Sequence, residues 1–162
     1  LQEILEIADA SNKEVVTYIS MGFGNPYGDD WNLEILSQWT KALIEKGVKI
    51  LSIADTTGVS TVEKINEIYP YLLKQFPHIE WGMHLHSTPD SSFQKIEAAF
   101  VAGCNRMDSA IKGFGGCPMA ADNLTGNIAT ENVLTYLKQK NHANTINESA
   151  YEEAFLFSSK IF

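Results

Sequence analysis

Cysteine is nearly missing from this chain: Cys104 and Cys117 are the only two among 162 residues. They stand apart with no CxxC pair, which argues against a disulfide framework or a zinc knuckle and fits a reducing compartment. Positive charge is also scarce. Twelve Lys and Arg face twenty Asp and Glu, a formal charge of -8, and no basic cluster breaks the balance, so no nucleic-acid partner is expected. No apolar run reaches the roughly 18 residues that cross a bilayer, and no membrane partner is expected either. The opening Leu1-Gln2-Glu3-Ile4-Leu5-Glu6 has the pattern neither of a signal peptide nor of a natural initiating end and reads as the middle of a helix. What is present is ordinary for a folded domain: 44% apolar and 20% charged residues, in a length that can bury one sizeable core.

The hydrophobic pattern changes period along the chain. Leu1, Ile4, Leu5 and Ala8 recur at helical spacing, and residues 1–12 read as the end of a helix. Residues 14–20 are rich in β-branched residues and mostly apolar on both faces, as in a strand covered on both sides. A Gly-, Asn- and Pro-containing loop follows, then a helix carrying Leu33, Leu36, Trp39, Leu43 and Ile44 that stops at Gly47. The unit then repeats. Residues 48–54 and 79–85 read as further strands, with 105–111 a fourth and less apolar one. Between them lie one helix with Ser60 and Glu63 in capping-box spacing, and another that begins after Pro89-Asp90 and is closed by Gly103. After the glycine-rich residues 112–128, a helix is expected over 130–140 and a last one from Glu148. Residues 13–140 thus form four βα units, and residues 141–162 form a helical extension. Consecutive βα units predict a parallel sheet, either half of an eight-fold barrel or a small open sheet; polar residues at the C-terminal ends of the strands favour the barrel.

Those polar residues carry the chemistry. His84 and His86 are two apart on an expected strand, so their side chains leave the same face and could hold one ion; two histidines on a merely polar face is the plain alternative. Asn127 is the candidate third ligand. Imidazole plus oxygen donors suit a catalytic divalent ion with open positions better than a closed structural zinc site. Cys117, framed by Gly113-Phe114-Gly115-Gly116 and Pro118, is a candidate proton donor, or else an inert loop cysteine. Asp55 ends the second strand, where a barrel enzyme places an orienting carboxylate or a turn places an Asx residue. Asp108 points towards the same interior and needs a partner there. Ser20 and the loop Asn25-Pro26-Tyr27 could line the same cavity, Lys112 could meet an anion, and Cys104 reads as core.

Three stretches in this order, Ile53 to Val59, His84-Leu85-His86, and Gly113 to Pro118 with Gly126-Asn127, resemble the hydroxymethylglutaryl-CoA lyases. These belong to the pyruvate-carboxyltransferase-like lyases and synthases built on a TIM (β/α)8 barrel. The HxH element is shared across that superfamily, while the Gly-Gly-Cys-Pro loop is the sharper signal for the lyases. The resemblance implies that this chain supplies strands five to eight of the barrel, with their helices. It also implies His84, His86 and Asn127 as ligands of Mg2+ or Mn2+, and Cys117, His84 and Asp55 as catalytic residues. The substrate it implies is the acyl-CoA 3-hydroxy-3-methylglutaryl-CoA, cleaved to acetyl-CoA and acetoacetate. A homo-oligomer is expected for the complete protein, in the cytoplasm or alternatively the mitochondrial matrix. The family's metal-binding aspartate and neighbouring arginine belong to a first strand that this sequence does not contain, so a fragment of a longer protein is expected. Two departures touch the substrate mouth. Ser87-Thr88-Pro89-Asp90 replaces the usual acid, Thr, aromatic and Gly, and the stretch from Cys117 to Asn127 is one residue longer. A related aldolase or Claisen-type synthase, or a non-catalytic acyl-CoA-binding half-barrel, are the competing readings.

Overall fold

The computed structural model describes residues 1–116, 125–142 and 144–161. Three parallel strands, β1 (Val16–Ile19), β2 (Ile50–Ala54) and β3 (Glu80–His84), pair in sequence order. In register, Tyr18 lies beside Ser52 and Ser52 beside Gly82. Because side chains alternate along a strand, Tyr18, Ser52, Gly82 and His84 share one face, and Leu51, Ile53, Trp81 and Met83 share the other. The second set is buried and packs on the helices. α2 (Leu33–Glu45), α3 (Val62–Gln75) and α4 (Pro89–Val101) supply Leu36, Ile65, Ile68, Leu72, Ile96 and Ala99 to that core. The first face carries the polar residues, as the interior of a barrel wall does. Among the described residues the strands do not close into a barrel.

Local chemistry sets the element ends. Asn32 caps α2 by accepting the Ile35 N–H at 2.9 Å, which satisfies one of the donors a helix start leaves open. Gly47 and Gly103, at φ +93° and +96°, take the left-handed conformation that ends α2 and α4. α3, however, is capped by Thr61, whose Oγ1 accepts from Lys64 N, and not by a Ser60–Glu63 box. Ser60 is drawn away because its hydroxyl serves a buried carboxylate. A reciprocal cap does occur at α4, where Thr88 N–H donates to Ser91 Oγ and Pro89 occupies the first turn, in which a missing N–H costs nothing.

The fourth strand is the main correction to the sequence reading. Residues 105–111 make one parallel bridge from Met107 to Met83, through Met83 N–H to Arg106 O and Asp108 N–H to Met83 O, at 2.9 and 3.1 Å. The chain then changes partner: Ala110 exchanges hydrogen bonds with Ile128 and Thr130, both at 2.9 Å. A ladder divided between two neighbours does not build a continuous strand. The expected strand 79–85 is present as β3 but ends at His84, so His86 is not on it. β4 (His86–Ser87) leaves the sheet and pairs antiparallel with β5 (Gly126–Asn127), His86 opposite Asn127. α1 (Gln2–Ala10), α5 (Thr130–Gln139) and α6 (Glu148–Ser158) complete the order. No helix among the described residues is long and apolar enough to cross a membrane.

Candidate metal centre at the strand ends

The polar residues at the C-terminal ends of the strands converge on His84 and His86, whose ring centroids are 5.0 Å apart with planes at 79°. Although the strand breaks between them, the β4–β5 pair returns the chain so that Asn127 faces His86. Each ring is fixed through Nδ1. His84 Nδ1 lies 3.2 Å from Asp108 Oδ2, and the same oxygen accepts the Tyr18 hydroxyl at 2.7 Å. His86 Nδ1 donates to the Asp55 carbonyl oxygen at 2.7 Å. Carbonyl and carboxylate oxygens only accept here, so Nδ1 carries a proton in both rings, and in the neutral ring Nε2 is the nitrogen left with a lone pair. Such outer hydrogen bonds fix ring orientation in metal-bound histidines. The donor set therefore fits a divalent ion bound by two imidazoles and oxygen. His84, His86 and Asn127 would hold it. Among the described residues no three of His, Cys, Asp and Glu cluster for a metal, so the candidate set depends on the carboxamide.

The loop that carries Asn127 explains its glycines. A Cβ on Gly113, at φ +64°, would stand 2.8 Å from Asn127 O, and one on Gly116 would stand 2.8 Å from Thr125 O. Glycine is thus needed for close approach to the chain's own β5 backbone. Asn127 Nδ2 donates to Phe114 O at 2.8 Å, which orients the carboxamide. Cys117 lies outside the described residues, as does the extra residue of its loop.

Asp55 is not an open carboxylate. It is 0% exposed, and its oxygens take Ser60 N–H at 3.1 Å, Ser60 O–H at 2.5 Å and Lys95 Nζ at 3.3 Å. Lys95 also donates to His86 O at 2.7 Å. Burial pushes the Lys95 ammonium below the ordinary lysine range, and the Asp55 charge opposes that shift. Among the secondary candidates, Asn25 Oδ1 closes its own loop by accepting from Tyr27 N and Asp29 N. Lys112 turns to α6, with Nζ 4.4 Å from the Phe155 ring centroid and against Ser159 Oγ. Cys104 is buried, and burial raises its thiol. A cleft of about 470 Å³ between α1 and the sheet is lined by Asn12, Val15, Lys46 and Ile50, at the opposite ends of the strands from the histidines.

Sequence reasoning missed Tyr18 and Lys95. Tyr18 stands between Thr17 and Ile19 and shares Ser52's register, which only strand pairing reveals. Lys95 had a visible signal: with Ser92, Ile96 and Ala99 it lies on the buried stripe of α4, where an unpaired lysine is costly.

Comparison with known proteins bears on the family and the fold. A family model described as HMGL-like matches residues 1–154. The chain is 31% identical to the hydroxymethylglutaryl-CoA lyase YngG of Bacillus subtilis over 139 residues, which is 86% of this chain and 46% of that protein. It is 32% identical to the mitochondrial hydroxymethylglutaryl-CoA lyase of Bos taurus over 83% of its own length and 41% of the relative's. The cytoplasmic 3-hydroxy-3-methylglutaryl-CoA lyase of Rattus norvegicus is 30% identical over 84% and 39%. Among solved structures, the Bacillus subtilis HMG-CoA lyase superposes with a TM-score of 0.80 at 30% identity, over 89% of this chain and 48% of that one. An HMG-CoA lyase from Acinetobacter baumannii, in complex with coenzyme A and 3-methylmalate, superposes with a TM-score of 0.77 at 25% identity, over 92% and 48%. The chain spans about half the length of the relatives it matches or less.

Proposed function

The chain belongs to the HMGL-like family, and from that membership and the paired imidazoles we propose that it is the C-terminal half, strands five to eight, of a metal-dependent carbon–carbon lyase barrel. Residues 1–12 end the preceding helix, 13–140 are four βα units, the fourth with the divided ladder of residues 105–111 in place of a continuous strand, and 141–162 are a C-terminal helical extension. The proposed reaction is cleavage of 3-hydroxy-3-methylglutaryl-CoA to acetyl-CoA and acetoacetate. The C3 hydroxyl loses its proton, the C2–C3 bond breaks, and its electron pair passes to the acetyl-CoA enolate, which is then protonated. The observation that carries the reading is the pair of rings whose Nδ1 atoms are both committed to oxygen acceptors, at 3.2 and 2.7 Å.

His84, His86 and Asn127 would hold the ion, Mg2+ or Mn2+ by family resemblance. When bound, such an ion polarises the substrate's oxygens and stabilises the developing alkoxide charge. His84 has one free lone pair, at Nε2, so ligation and acceptance of the hydroxyl proton are alternative roles and not simultaneous ones. Cys117 is assigned the final protonation. Asp55 positions the site through its carbonyl contact with His86. The complete protein is expected to form a homo-oligomer. The relatives divide between cytoplasmic and mitochondrial forms, and the cytoplasm is our first assignment.

The test is acetoacetate release from HMG-CoA by the full-length polypeptide with Mg2+ or Mn2+. His84→Ala and Cys117→Ser should each lower kcat by a factor on the order of 10² or more. Near-normal turnover of His84→Ala would sink the assignment. One observation favours a second substrate: Ser87, Thr88 and Pro89 join β4 to the start of α4 beside His86. A divergent mouth there predicts a different acyl-CoA or 3-hydroxy acid, read as a higher kcat/KM on that compound than on HMG-CoA. A Claisen-type synthase would instead turn over a 2-oxo acid with acetyl-CoA, and a non-catalytic half-barrel would turn over neither.

A further inference from the structure

This inference rests on the divalent-ion reading above and concerns a residue outside the ligand set. Lys95 is 6% exposed, and a lysine this deep needs a partner for its ammonium. Its Nζ meets two groups, His86 O at 2.7 Å and Asp55 Oδ2 at 3.3 Å. Those residues are also joined to each other, because His86 Nδ1 donates to Asp55 O at 2.7 Å. The lysine therefore grips the main chain of His86 and the side chain of the residue whose main chain grips the His86 ring. Ser60 completes the enclosure by donating its N–H and O–H to the Asp55 carboxylate. β2 is fixed to the same place from the sheet side, through Asp55 N–H to His84 O at 2.8 Å.

We propose that Lys95 is a positioning residue for His86: by holding the His86 carbonyl and the Asp55 carboxylate together, it fixes the ring's orientation and its Nδ1–H tautomer and keeps Nε2 directed to a divalent cation. Lys95 is not itself a ligand. α4 thereby contributes to the site from outside the sheet, by a side chain that reaches between the ends of β2 and β4. A purely charge-balancing lysine would make a different prediction. Removing its charge together with that of Asp55 would then leave the His86 ring undisturbed.

The experiment uses the full-length polypeptide, Mn2+ titration followed by electron paramagnetic resonance, and ring-nitrogen NMR of the histidines without metal. Lys95→Met keeps an unbranched apolar stem one atom shorter and removes the donor. It should weaken Mn2+ binding by roughly 10–100-fold, the usual cost of losing an outer partner of a metal ligand. The His86 Nδ1–H signal should broaden into tautomer exchange. Should Lys95→Met fail to fold, the double variant Lys95→Met/Asp55→Asn, which buries no unbalanced charge, carries the test with the same expected losses. Either folded variant keeping Mn2+ affinity within about twofold of wild type, with the His86 tautomer intact, overturns the proposal. Absence of Mn2+ binding by the wild-type protein would overturn the divalent-ion reading instead, and the tautomer measurement would still decide the role of Lys95.

Discussion

The two histidines stand on different ground. His84 belongs to the open face of the sheet, with its side chain 30% exposed and its Nδ1 partner, Asp108, 33% exposed. His86 is 6% exposed and sits at a junction of β2, β4 and α4, where the Asp55 and Lys95 side chains are 0% and 7% exposed. One ring is held by a side-chain carboxylate that Tyr18 shares, the other by a main-chain carbonyl that no substitution removes. Interactions screened by water contribute little and can be tuned, whereas buried charges are stringent because each leaves the other uncompensated when lost. In the proposed reading the open histidine is the one placed to meet substrate, and the buried one is the fixed reference.

The sharpest way to break this contrast is on the buried side. Asp55→Ala strands the Lys95 ammonium and should cost about 3–5 kcal/mol of unfolding free energy, read by urea denaturation. A loss below about 1 kcal/mol would show that water reaches the junction. On the open side, Asp108→Ala removes the acceptor of both Tyr18 and His84, yet should cost only about 1 kcal/mol because solvent can replace it. Its larger effect should be a loss of Mn2+ affinity as the His84 tautomer is released, measured in the same titration. The smallest effect is that of Tyr18→Phe. The hydrogen bond that Tyr18 donates to Asp108, with burial second, raises its hydroxyl above the ordinary value of 10.0. A raised folded value gives stability that is fully present below the unfolded value and lost as pH rises through the folded one. The stability difference between wild type and Tyr18→Phe should therefore be constant up to about pH 10 and shrink above it. A gap that widens instead would reverse the sign of the coupling.

Much of this architecture was legible before folding. The alternation of β-branched runs with helical periodicity located three strands, and Gly47 and Gly103 located two helix ends, because those signals are local. The fourth strand was not legible, since residues 105–111 look extended but divide their hydrogen bonds between Met83 and residues 128–130. The Ser60 cap failed for a similar reason. Ser60 has the right spacing for a helix start, but Asp55 is a stronger attraction for its hydroxyl inside the protein. Lys95 was missed: its place on the buried stripe of α4 is a local signal, but its two partners lie on other elements.

By itself the sequence determined the residue types at the candidate metal centre, two imidazoles and a carboxamide, and the glycines that let a loop cross β5. It did so because chemistry and backbone freedom belong to single residues. Only the tertiary structure decided which nitrogen each ring keeps free, which face Tyr18 shares, and that Asp55 and Lys95 form a buried clamp behind His86. Those depend on strand register and on the distance between elements remote in sequence, and β2, β4 and α4 meet only when the sheet and its helices pack.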